Sequence, residues 1–162
     1  MGAFAFIVIV LAPFARVPLA EVWAFIPSYQ SALVLGDLIT ATLLYSQFAQ
    51  LRSRRLLLLA AGYLFSGAIA FAHMLTFPGA FAPSGLLGAR AQTTVWLYMA
   101  WHSGFPLMVI AAVRQRSDDG RDHPPRTKAH LEILFTIVAV LAAVVALVLL
   151  ATEAEPLLPA LL

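Results

Sequence analysis

Three ionisable side chains, Asp37, His73 and His102, lie inside runs that are otherwise apolar. A charged group at the centre of a lipid-embedded helix costs ~2.5–3.5 kcal/mol on insertion scales, so each needs a reason to be there. A carboxylate and two imidazoles can satisfy one another as a structural polar pair. They can also form a site for a small ligand or a proton. Coordination of a divalent metal, or of haem b between the two histidines, is the alternative chemistry. Helical spacing extends each residue into a stripe. Asp37, Thr40 and Gln47 share a face at offsets of three and seven. Thr94, Tyr98 and His102 recur every four residues. Gly62, Ser66 and Ala70 do the same and lead to His73, a small-residue face that lets a neighbouring helix come close.

The elements that must position these residues follow from composition. The chain has 162 residues, 62% hydrophobic and 11% charged. Soluble domains are ~25% charged, so the solvent implied is lipid. A bilayer core takes ~20 mostly apolar residues per helix. Segments 31–51, 56–77, 92–113 and 131–151 meet that length. Segment 2–15 is shorter and is followed by Arg16 and Pro18; no Lys or Arg precedes it, so it reads as a short first span rather than a signal peptide. The expected fold is therefore all-α, an integral membrane bundle of about five transmembrane helices over 1–162. The last span, rich in Val, Leu and Ala, is expected to face lipid. The connectors carry turn chemistry: Arg52-Ser53-Arg54-Arg55 is a tight polar link, 78–90 is rich in Pro and Gly, and 114–130 contains Asp118-Asp119-Gly120 and Pro124-Pro125.

Basic residues in short loops set orientation. Loops 52–55 and 114–130 hold eight of the ten Lys and Arg residues, and they lie on one side. They are expected in the cytoplasm. Loop 78–90 and the tail with Glu153 and Glu155 are then outside. In that frame Asp37 lies ~9 Å, His73 ~6 Å and His102 ~15 Å below the outer surface. The site expected is a polar pocket open to the outside, built from Asp37, His73, Gln92, Tyr98, Trp101 and His102, with Trp96, Phe71, Phe77 and Phe81 as further walls. Pro106, four residues after His102, removes a backbone donor and marks a bend through which a signal could pass. The ~9 Å offset in depth between His73 and His102 argues against one haem plane.

No catalytic pattern is present: no Gly-rich phosphate loop, no H-E-x-x-H and no serine elbow. The chain contains no cysteine, which removes thiolate chemistry. It reads as a non-enzyme. No resident cofactor is expected, with haem b or a divalent metal at His73 and His102 as the alternative.

Three stretches together resemble a known family: AFIPSYQSALVLGDLITATLL from Ala24, GYLFSGAIAFAHMLTFPGAFAPSGLLG from Gly62, and QTTVWLYMAWHSGFPLMVIA from Gln92. They are similar to the fourth type of the membrane-associated sensor (MASE) domains, which in bacteria precede histidine kinases and GGDEF diguanylate cyclases. The resemblance runs over about 12–112. It implies a sensory input module facing the periplasm, with His73 in AHMLTFPG and His102 in WHSGFP as the matching positions of interest. Implied partners are membrane lipid, an unidentified small ligand, a cytoplasmic output domain of the two-component or cyclic di-GMP kind, and a second copy if the module dimerises. No nucleic acid is expected. A C-terminus outside cannot lead directly into a cytoplasmic output domain, so one further span is expected, and the chain reads as an isolated or truncated sensor domain or a stand-alone relative.

Overall fold

Away from water every backbone N–H and C=O must find its partner within its own segment, so long apolar runs become helices. The computed structural model of the protein describes residues 2–14, 24–90, 92–115 and 126–153. Among these are five α-helices, a 3-10 turn at Ala12–Phe14, and no strand. The helices are α1 (Gly2–Leu11), α2 (Phe25–Leu51), α3 (Arg54–Thr76), α4 (Thr93–Arg114) and α5 (Arg126–Glu153). The last four are long and apolar enough to cross a membrane. The first is only 10 residues long. At 1.5 Å per residue it reaches about half the ~30 Å hydrocarbon core. The expected first span over 2–15 is thus helical only over its first part, and residue 15 lies outside the described residues.

α2 is 27 residues long and begins six residues before the expected 31, with Pro27 in its first turn, where a missing N–H costs nothing. The apolar run starts later than the helix because Ser28, Gln30 and Ser31 interrupt it. This shift carries Gln30 into the helix. α2 ends at Arg52, whose φ of 57° lies in the left-handed region, and its N–H bonds the Phe48 carbonyl at 2.9 Å. Only Arg52 and Ser53 separate α2 from α3.

α3 is the axis of the bundle. Its apolar window is 56% buried, against 11–17% for the other three candidate spans. The small-residue face explains how neighbours come so close. A Cβ added at Gly67 would stand 3.2 Å from the Asp37 Cβ on α2, and one at Gly62 would stand 3.3 Å from the Met108 Cβ on α4. From the other side, a Cβ at Gly104 would stand 2.5 Å from the Phe65 ring. Phe65, Ile69, Leu97, Val140 and Val144 form the core where α3, α4 and α5 meet. Ala41, Tyr45 and Ala60 form a second cluster between α2 and α3.

The outward faces are apolar, as lipid requires. Leu35, Ile39 and Leu43 on α2, and Leu134, Phe135, Val138, Val145 and Leu149 on α5, are all exposed. The loop after α3 folds back on its helix, with Leu86 N–H donating to the Leu75 carbonyl at 2.8 Å. Gly85 there has φ 81°, and a Cβ would overlap the Thr76 carbonyl, so only glycine fits. Thr93 Oγ1 then donates to the Ala151 carbonyl at 3.0 Å, fixing the start of α4 against the end of α5.

Candidate functional site

Two successive residues of α2 bond two successive residues of α3. Gln30 Nε2 donates to His73 Nδ1 at 2.7 Å, and Ser31 Oγ donates to the Met74 sulfur at 3.6 Å. Gln30 is 3% and His73 7% exposed. An imidazole nitrogen that accepts leaves the ring proton of a neutral His73 on Nε2. The other end of the carboxamide, Gln30 Oε1, is buried with no hydrogen-bond partner among the described residues. An unsatisfied polar atom in a dry site costs ~1–3 kcal/mol, so the pair is tight but incomplete.

Aromatic rings surround the imidazole. The centroids of Phe77, Tyr98 and Trp101 lie 5.8, 6.2 and 6.2 Å from that of His73. Trp101 is held by its Nε1, which donates to Ser66 Oγ at 2.8 Å, so a residue of the small face on α3 fixes a ring of α4. Tyr98 stacks on His102 with centroids 3.8 Å apart, and Trp101 meets His102 edge-on at 5.0 Å. His102 Nδ1 donates to the Tyr98 carbonyl one turn back at 3.0 Å. His102 and Tyr98 face outward while His73 is buried. The two histidines therefore belong to one aromatic cluster, one on its inner and one on its outer side.

The other expected site residues are placed differently. Asp37 packs against Gly67, six residues or ~9 Å along α3 from His73. Asp37 is half-buried, and among the described residues its carboxylate has no hydrogen bond or ion pair. Gln92 stands at the N-cap of α4, outward of Tyr98 by six residues. Thr40 donates to the Gly36 carbonyl, not to Asp37. Phe71 and Phe81 are exposed rather than walls of the cluster. Trp96 turns the other way and lines an apolar groove of about 270 Å³ between α4 and α5, with Leu97, Ser103, Leu147, Leu150 and Ala151. α4 remains one helix through Pro106. Among the described residues no three His, Asp or Glu side chains come together as a metal-binding group.

Gln30 is the residue the sequence reading missed. Pro27 was the available signal, because proline favours the first turn of a helix and would have moved the start of α2 outward.

A helical membrane bundle with a buried polar pair near one end of its central helix defines the class: a multi-pass integral membrane module. Residues 20–162 match the MASE4 family, described as membrane-associated sensor, integral membrane domain. The chain belongs to that family. No curated protein and no solved structure matches it.

Proposed function

We propose that the chain is the sensory input module of a bacterial signalling protein, and that the Gln30–His73 pair and its aromatic shell are where the stimulus is read. The observation that carries this reading is the incomplete satisfaction of Gln30. A buried carboxamide with one end bonded and the other orphaned has two arrangements close in energy, and a stimulus that supplies a donor to Oε1 or a proton to His73 chooses between them. Family membership supports a sensor; the ligand class and the output partner are part of the proposal.

The pair sits where α2, α3 and α4 meet, so a change there acts on three helices. Trp101 and Tyr98 carry it to α4, whose inner half begins at Pro106. Proline gives no N–H to the His102 carbonyl, which leaves α4 easier to bend at that level. A shift of ~1–2 Å at the inner ends of α4 and α5 is enough to signal. A histidine kinase or diguanylate cyclase domain on the cytoplasmic side is the output this reading expects. A haem-bearing redox protein is the second reading, and no observation favours it.

The test joins the chain, through an added span, to a reporter cyclase. Gln30→Leu and His73→Ala should each change basal output 5-fold or more, the lower bound of typical coupling between sites. Protein levels in the membrane should stay constant. Parental output from both variants would show that the stimulus is read elsewhere.

A further inference from the structure

The unpartnered end of Gln30 is an acceptor, and it stands opposite the end that bonds His73. A neutral imidazole accepts at one nitrogen and donates at the other, and Gln30 Nε2 occupies the accepting nitrogen, Nδ1, at 2.7 Å. An imidazolium donates from both nitrogens. Gln30 Nε2 would then face another donor, and the bond would fail. Turning the carboxamide end for end sets Oε1 against Nδ1–H and restores it. The new bond is charge-assisted, roughly twice as strong as the neutral one. Before the turn Oε1 has no partner among the described residues, and after it the amino end is displaced into that position. One end of the carboxamide is unsatisfied in both states, so that cost of ~1–3 kcal/mol cancels between them.

We propose that the stimulus is a proton taken up by His73, with reversal of the Gln30 carboxamide as the switching element; this rests on the pair being the place where the stimulus is read. Three observations select a proton over a molecule. Gln30 and His73 are 3% and 7% exposed, and a proton is the ligand that needs no room. The ring centroids of Phe77, Tyr98 and Trp101 stand 5.8, 6.2 and 6.2 Å from that of His73, at the edge of cation–π reach, so a cation formed among them is attracted. Among the described residues no carboxylate acts on His73, so no fixed partner holds a charge there and the proton is free to come and go. α2 presents Gln30 and Ser31 to this end of α3, with Asp37 turned to Gly67 and Tyr29 exposed against Phe25. α4 presents Tyr98 and, stacked on it, His102, whose own proton would oppose one on His73 by like charge. Arg90 at the end of loop 78–90 and Glu153 at the end of α5 are exposed. Ser31 Oγ on the Met74 sulfur keeps α2 and α3 in register while the carboxamide turns, so the new charge acts chiefly on the rings of α4.

The purified full chain, with isotope-labelled histidine ring nitrogens, is titrated by NMR in detergent, where both ends of the bundle meet the buffer. The His73 signal is the one absent from His73→Gln, a variant that keeps a hydrogen-bonding side chain and cannot titrate. At about pH 8 it should report a neutral ring with its proton on Nε2, and by about pH 5 an imidazolium. Gln30→Glu offers an acceptor in either orientation and should move the midpoint up by about one pH unit or more. Gln30→Leu offers none and should move it down; if the leucine variant does not fold, Gln30→Glu decides. A His73 still neutral at about pH 5 overturns the proposal. So does a midpoint that Gln30→Glu leaves in place. Signalling is read in leaky membranes that carry the reporter fusion. Parental output divided by that of the His73→Gln fusion should change about fivefold or more between about pH 8 and pH 5. A flat ratio overturns the proposal. If Gln30→Leu and His73→Ala still alter basal output in that case, the pair remains the reading site, for a stimulus other than a proton.

Discussion

A carboxamide has two ends, and at Gln30 only one of them is used. Its donor holds His73 in an environment with almost no exposure, while its acceptor has no partner. Removing either member leaves the other buried and unpaired, which costs ~1–3 kcal/mol. Gln30→Leu and His73→Leu should therefore each lower the thermal unfolding midpoint in detergent, and the double variant should lose less than the two singles combined, by ~1 kcal/mol. Strict additivity would mean that the bond contributes nothing in the folded protein. At this scale the sequence was half legible. His73 and His102 stand out because ionisable residues in a span are expensive, Tyr98 follows from its helical spacing to His102, and Trp101 is legible only as an aromatic wall. Gln30 was hidden because glutamine carries no charge and sits where the apolar run has not yet begun. Asp37 is grouped with the histidines because it too is ionisable within a span and lies in the same half of the membrane. Which way a helix is rotated about its axis decides whether equal depth becomes contact, and α2 turns Asp37 toward Gly67.

Helices without a hydrophobic drive between them associate through close packing, so the contact points are set by the smallest residues. Gly62 and Gly67 on α3 and Gly104 on α4 occupy those points. Gly104 is the most demanding, since a Cβ there would press to 2.5 Å from the Phe65 ring. Gly104→Ala should destabilise the α3–α4 pair by ~1–3 kcal/mol, the usual cost of overpacking. Phe65→Leu in the same chain should restore part of it by vacating the ring edge. The comparison is made by thermal unfolding of the three variants in the same detergent; no recovery in the double variant would place the strain elsewhere. The small face on α3 was readable from Gly62, Ser66 and Ala70 at spacing four. Its consequence for chemistry was not, because Ser66 becomes part of the site only through Trp101 Nε1, a contact that depends on how α4 is rotated. The same dependence turned Trp96 away from the cluster and into the groove with α5.

For the whole molecule, four spanning helices leave two connections on one side and one on the other. Segments 52–55 and 114–130, at the two connections on one side, hold eight of the ten basic residues, whereas loop 78–90 contributes only Arg90. Positive charge is retained on the cytoplasmic side during insertion, so the orientation proposed here has the α2–α3 turn in the cytoplasm and the Gln30–His73 pair in the outer leaflet. That orientation gives the proposed module its sense: the stimulus is met near the outer surface, and Arg55 and Gln115 lie at the end where an output domain would respond. The chain contains no native cysteine, so single introduced thiols report without background. Ser84→Cys, exposed in loop 78–90, should react with a membrane-impermeant maleimide in intact cells. Ser53→Cys should react only after the membrane is permeabilised, with His130→Cys at the start of α5 behaving the same way. Labelling of Ser53→Cys in intact cells, with Ser84→Cys protected, would invert the molecule. The buried pair would then face the cytoplasm, and a stimulus from outside would have no route to it.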